Sequence, residues 1–142
     1  MGLVLVSGFL AEIQDTRRFT TGQKFDRKRK RYRPRTYRDG QASVAKLAGL
    51  WWPKNDSGRT THLPSKLARE RNPYLRYGFG QAAYSLRRSQ PAYAQYDQLK
   101  LQQTSPAPRK RALVLTARKA VRLVFALLHK AQRDHLEAVP AD

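Results

Sequence analysis

The chain contains no cysteine, so it can build neither a disulfide framework nor a thiolate metal site, and nothing in it points to an oxidising compartment. Acidic residues are scarce as well: 10, against 29 lysines and arginines in 142 residues. Metal-dependent nucleases and transposases gather several carboxylates around two magnesium ions. Here Glu12, Asp15, Asp26, Asp39, Asp56 and Glu70 are scattered among basic neighbours and read as ion-pair partners, so no metal site and no cofactor is expected in this chain. The three histidines, His62, His129 and His135, have spacings unlike any zinc signature and read as solvated or packing residues. No apolar run approaches the roughly 20 residues that span a bilayer. Residues 3–6 and 9–11 are apolar but lack a basic leader and are interrupted by Ser7 and Gly8, unlike a signal peptide. Gly78-Phe79-Gly80 sits inside a helical pattern and is no phosphate loop. The expected compartment is therefore the cytoplasm.

What is present is positive charge. A formal net charge of +19 repels itself in a compact chain unless an anionic partner neutralises it, and DNA or RNA is the obvious polyanion. The basic residues are spread over nearly the whole length instead of forming one juxtamembrane cluster, which argues against a membrane partner. The length suits one domain with a modest core.

Patterning predicts a mainly α fold, a small helical domain. Residues 3–13 suit a short buried helix with a polar exit at Gln14-Asp15. Residues 24–38 form the most basic segment, with Arg27, Lys28, Arg29, Lys30 and Arg31 at its centre and Tyr32, Pro34 and Tyr37 interleaved. Without apolar periodicity it reads as a flexible basic loop. Either it is an arm that neutralises phosphates and stacks a tyrosine on a base, or it is a solvated loop that aids solubility. Ser43 can cap a short helix over residues 44–50, ahead of Trp51-Trp52-Pro53. Residues 54–61 are rich in turn formers, and Pro64 opens a short basic helix. Asn72-Pro73 is a strong helix start. The helix after it carries Leu75, Phe79, Ala82, Ala83 and Leu86 on one face, with Gly78 and Gly80 admitting another backbone, and ends around Arg88. A helix from about Ser89 to Gln102 presents Tyr93, Tyr96, Leu99 and Lys100 at helical spacing. The last helix has the clearest stripe: Leu113, Ala117, Ala120, Val121, Val124, Phe125 and Leu128. Beyond Lys130 the charges mix, and residues 131–142 read as a frayed tail.

One serine has a suggestive context. Ser57 lies in Asn55-Asp56-Ser57-Gly58-Arg59, where Gly58 lets a backbone approach a phosphate and Arg59 can stabilise its charge. Lys66, Arg69, Arg71 and Arg76 follow, so a phosphodiester at Ser57 would meet positive charge from several sides. On these residues alone a plain serine turn is the simpler reading.

The order of the motifs resembles a known family. Ser43-Val-Ala-Lys-Leu-Ala-Gly-Leu50, Asn55-Asp-Ser-Gly58, residues 63–66, Asn72-Pro-Tyr-Leu-Arg76 and Ala82-Ala83 are similar to the C-terminal domain of the insertion sequence 110/116/902 transposases. Leu10-Ala-Glu-Ile13 with Arg18-Phe19 resembles the run after that family's helix-hairpin-helix, and Ala117-Arg118-Lys119 with residues 124–128 resembles its closing helix. The resemblance implies a DNA-binding, strand-transferring domain in which a serine, here Ser57, attacks a DNA phosphate and becomes covalently joined to it. Arg59, Lys66, Arg69 and Arg76 would bind the strand. The implied partners are DNA and a guide (bridge) RNA, with homo-oligomerisation of the full-length protein. The implied setting is the bacterial nucleoid. Magnesium is expected only with the family's separate acidic N-terminal domain.

The resemblance divides the chain into a partial helix-hairpin-helix at 1–23, a basic flexible insertion at 24–42, the transposase helical domain at 43–130, and the tail. Three departures accompany it. The acidic domain is absent and Gly2 matches the second glycine of the hairpin, so a truncated, non-autonomous transposase is expected, with Leu3, Leu5 and Phe9 short of packing partners. The basic insertion replaces a shorter link, and Arg71 stands where a glycine is common. The reading from a different class is a non-catalytic basic protein that coats RNA or DNA.

Overall fold

The computed structural model describes residues 2–53, 67–103 and 107–138. Among them the chain forms α1 (Leu3–Ile13), α2 (Arg17–Thr20), β1 (Gln23–Asp26), β2 (Arg31–Pro34), α3 (Tyr37–Leu47), α4 (Pro73–Ser89), α5 (Pro91–Leu101) and α6 (Pro108–Ala138). The mainly helical class is as the patterning predicts, and no described helix is long and apolar enough to cross a membrane.

α6 is the central element: α3, α4 and α5 all pack on it. Its apolar stripe buries Ala117, Ala120, Val121, Val124 and Phe125, while Leu113 and Leu128 pack at the margin of the core. α4 contributes Leu75, Phe79, Ala82 and Ala83 to the same core, the spacing of three and four that gives a helix one wet and one dry side. Asn72 begins α4 as expected, its Oδ1 accepting from the Leu75 amide at 3.0 Å with Pro73 at the first helical position. The same residue donates from its side chain to Glu12 of α1 and from its backbone to the Leu47 carbonyl of α3 at 2.8 Å. One asparagine therefore ties three helices together.

α1 has the bounds its sequence predicts, but Phe9 does not lack a partner. It is buried, stacked on Phe79 with ring centroids 4.5 Å apart. Gly78 makes this possible, because a Cβ there would stand 2.9 Å from the Phe9 ring. The neighbour admitted is a side chain, not a backbone, and Gly80 has nothing nearby that requires a glycine. Leu3 stays 88% exposed, and Leu5 packs at the core margin.

α5 follows the predicted span closely, yet its helical spacing does not show which face turns inward. Leu99 is exposed, whereas Asp97 is buried. The Asp97 carboxylate accepts from Arg87 of α4 and from the Thr116 hydroxyl of α6, each at 3.1 Å, so the residue that looks least suited to a core joins three helices.

Two further expectations are corrected. Residues 131–138 do not fray: α6 continues to Ala138. Gln132 accounts for the extension, since its amide oxygen accepts from the Thr16 hydroxyl at 2.6 Å and the Thr16 amide at 2.9 Å, and its nitrogen donates to the Gln14 carbonyl at 2.7 Å. Because the Thr16 proton is committed to Gln132, His129 Nδ1, 3.0 Å away, must be the donor to the Thr16 oxygen. His129 is thus a packing residue, flat against Phe125 and edge-on to Tyr37. The second correction concerns α3. It is not capped at Ser43 but starts at Tyr37, where Thr36 and Asp39 form a reciprocal capping box.

α3 ends in a left-handed residue, Gly49 (φ 68°), with the Leu50 amide bonded to the Ala45 carbonyl and the Gly49 amide to the Lys46 carbonyl, both at 2.9 Å. This is the paired closure of a helix that favours glycine. A Cβ at Gly49 would lie 2.5 Å from the Cβ of Arg71, so the glycine also makes room for the arginine at the position noted above. Gly49→Ala should lower the unfolding free energy by about 1–3 kcal/mol. Urea unfolding followed by circular dichroism checks this, and an unchanged midpoint would refute the close approach.

Candidate nucleic-acid interface

Residues 24–38 are not a flexible loop. Gln23 pairs with Pro34, Lys24 with Arg33, Phe25 with Tyr32 and Asp26 with Arg31, in an antiparallel hairpin that leads directly into α3. The span read as an insertion therefore contains the first turns of the helix that follows it. Asp26 shapes the turn: its carboxylate accepts from the amides of Lys28 (3.0 Å) and Arg29 (3.3 Å). These bonds, the Arg29 amide foremost, hold it below the usual carboxylate range.

The two faces of the ribbon have different chemistry. On one, Lys24 and Arg33 stand opposite each other, a like-charge pair that opposes strand pairing. Asp39 resolves the conflict. Its carboxylate is 2.7 Å from Lys24 Nζ and 2.7 Å from an Arg33 guanidinium nitrogen, and it accepts from the Thr36 amide and hydroxyl. Arg33 first, then Lys24, hold this buried carboxyl far below the usual carboxylate range. On the other face, the Phe25 and Tyr32 rings meet edge-on at 5.3 Å and remain 47% and 68% exposed. An aromatic pair left open to solvent beside a basic turn can stack on bases.

Between the hairpin, α2, α3 and residues 70–72 lies a groove of about 890 Å³. Among the described residues its cations are Arg18, Lys24, Arg35, Lys46 and Arg71, against the carboxylates of Asp39 and Glu70. Two of these cations lie over aromatic rings of the same groove, the Arg18 guanidinium 4.5 Å from the centre of Phe19 and Lys46 Nζ 5.2 Å from that of Trp51. At one end the Ala68 amide donates to the Trp51 carbonyl at 3.0 Å. This bond holds Trp51, in the groove wall, against the stretch that leads into α4.

The site residues expected from the sequence fare differently. Ser57, Arg59 and Lys66, with the short helix expected at Pro64, lie outside the described residues. Arg27, Lys28, Arg29, Lys30 and Arg31 are exposed at the tip of the hairpin, and none joins an ion pair among the described residues. Arg69 is exposed but lines no part of the groove. Arg76 is half-buried and donates to the Ala68 carbonyl at 3.3 Å; burial, and then Arg71, push its guanidinium below its ordinary value. Arg76 therefore braces the chain at the groove wall. Tyr37 is also structural, edge-on to Phe125 and His129. The groove cations Arg18, Arg35, Lys46 and Arg71 come from separate stretches of sequence. Their one local signal is a cation beside or five residues from an aromatic, as in Arg18-Phe19 and Lys46 with Trp51.

Compared with family models, curated proteins and solved structures, the chain matches none.

The hairpin gives a pH prediction. Asp39 has a depressed carboxyl pKa in the folded chain, so its stabilising contribution is complete above the unfolded value of about 3.9 and is lost as the pH falls below it. Asp39→Asn should cost about 1–3 kcal/mol at pH 7, and wild type and variant should converge in acid. Hydrogen exchange should speed up first in β1 and β2. A constant gap from pH 7 down to pH 2 would contradict the ionic origin.

Proposed function

We propose that this protein binds nucleic acid through the groove between α2 and α3 and through the basic hairpin beside it. We further propose, on the family resemblance, that it serves DNA transposition by carrying Ser57 as a strand-transfer nucleophile. The observation that carries the first part is the charge balance of the groove: among the described residues its lining holds five cations, two of them on aromatic rings, and two carboxylates, of which Asp39 pairs with Lys24, one of the five, and with Arg33. Such a surface neutralises phosphates and offers π-faces to unpaired bases, which favours single strands without reading sequence.

Two features support the second part. The Ala68–Trp51 bond holds Trp51, a groove residue, against the stretch that leads into α4, and the motif order Asn55-Asp-Ser-Gly58 then Asn72-Pro-Tyr-Leu-Arg76 is the one shared with the family. The described carboxylates Asp39, Asp97, Asp15 and Asp26 are engaged by arginine, lysine or backbone amides, which gives them structural work. On this reading the Ser57 oxygen attacks phosphorus, a strand oxygen leaves, and the serine proton passes to the surroundings. Neutralisation of the charge that develops would be shared with the acidic, magnesium-binding domain that the resemblance implies. A guide RNA and DNA are the partners this reading requires.

Binding is tested by fluorescence anisotropy with a labelled single-stranded oligonucleotide over a salt series. Lys46→Gln/Arg71→Gln should weaken binding and reduce the slope of log K against log salt by about 1.4, near 0.7 for each lost phosphate contact on a single strand. An unchanged slope would exclude the groove. The chemistry is tested by supplying a family N-terminal domain and guide RNA and looking for a protein–DNA adduct on a denaturing gel. The adduct should vanish in Ser57→Ala. An adduct that persists would remove Ser57 as the nucleophile, and no adduct with the wild type would favour a non-catalytic nucleic-acid binder.

A further inference from the structure

A second basic groove, of about 380 Å³, lies between α3 and α6. Among the described residues it is lined by Arg38, Arg118 and Arg122 around Gln41, Ala42 and Ala45, with no carboxylate and no aromatic ring. None of the three arginines takes part in an ion pair among the described residues. Three arginines lining one small groove repel one another unless an anion sits between them. Arg118 and Arg122, four residues apart and so about 6 Å along the helix, also line an adjoining groove with Lys119 and Tyr96, so the positive track continues toward α5. The tyrosines on that side are already engaged: Lys119 Nζ lies 4.7 Å from the ring centres of both Tyr93 and Tyr96.

The two grooves flank the same helix and share Ala42. On one side of α3, rings stand among cations, and beyond them the hairpin exposes Phe25 and Tyr32. On the other, the cations stand alone. Bases can be stacked only where they are unpaired, whereas the phosphates of a duplex are reached without touching a base.

We infer that the α3–α6 groove holds the phosphate backbone of a duplex, so that the protein's preferred ligand is a junction between double-stranded and single-stranded nucleic acid, with α3 as the ridge between the two parts. This rests on the nucleic-acid reading proposed above and adds the class of ligand to it.

Anisotropy with three labelled DNA probes of equal length tests this: a single strand, a blunt duplex, and a duplex with a single-stranded overhang. The overhang probe should bind at least tenfold tighter than either other. Arg38→Gln/Arg122→Gln changes two exposed positions, and a urea midpoint shows whether it folds as the wild type does. It should abolish the junction preference and leave single-strand affinity within about twofold. Should that pair lower the urea midpoint, Arg38→Gln alone should still reduce the preference severalfold. A wild type that binds the single strand but shows no preference for the junction would overturn this inference alone. Equal losses on all three probes in the variant would also overturn it, since the α3–α6 groove would then be part of one undivided surface. A wild type that binds none of the probes would overturn this inference and the nucleic-acid reading together.

Discussion

Lys24 and Arg33 face each other across a two-stranded ribbon in the most basic part of a strongly basic chain, an arrangement that favours separation of the strands. The Asp39 carboxylate turns the repulsion into attachment. It binds both cations and at the same time completes the cap of α3 with Thr36, so a single buried group fixes the ribbon to the helix and starts the helix. The rest of the proposed interface depends on this one contact. It brings Lys24 to the groove and leaves Phe25 and Tyr32 exposed on the other face of the ribbon, while the cations of the hairpin tip join no ion pair among the described residues.

The scaffold behind this arrangement uses the few acidic and polar groups as joints. Asp97 links α4, α5 and α6; Asn72 links α1, α3 and α4; Gln132 ties the far part of α6 to the turn after α1. Buried polar groups are tolerated because each has partners. In a chain with so few carboxylates, spending them on joints leaves the surface cations uncompensated. The proposed function draws on that excess.

The helical frame was legible in the sequence where signals are local. Asn72-Pro73 begins α4 and the stripe from Leu113 to Leu128 faces the core, because caps and helical periodicity are written within a few residues of each other. The hairpin was not, because the Phe25–Tyr32 pair becomes visible only once the register is known, and the charge around it resembles that of an unfolded arm. Thr36 and Asp39 do carry the three-residue spacing of a capping box, but Asp39 reads as one acid lost among arginines until its two cationic partners are seen. The continuation of α6 was illegible for another reason: the Thr16 that holds Gln132 is 116 residues away. Of the site, the hairpin cations were legible from charge density, whereas Arg18, Arg35, Lys46 and Arg71 converge only through the packing of α2, α3 and the chain before α4. The strand-transfer reading of Ser57 comes from motif order alone.

The central claim is that a bound strand lies along the α2–α3 groove and the outer face of the hairpin. Ultraviolet crosslinking to a single-stranded oligonucleotide, followed by mass spectrometry of the crosslinked peptides, tests it most directly. Crosslinks should fall on Trp51, Phe25 and Tyr32, and those on the hairpin should diminish when Asp39→Asn frees it from α3. Crosslinks confined to α1, α5 or the far end of α6 would contradict the account.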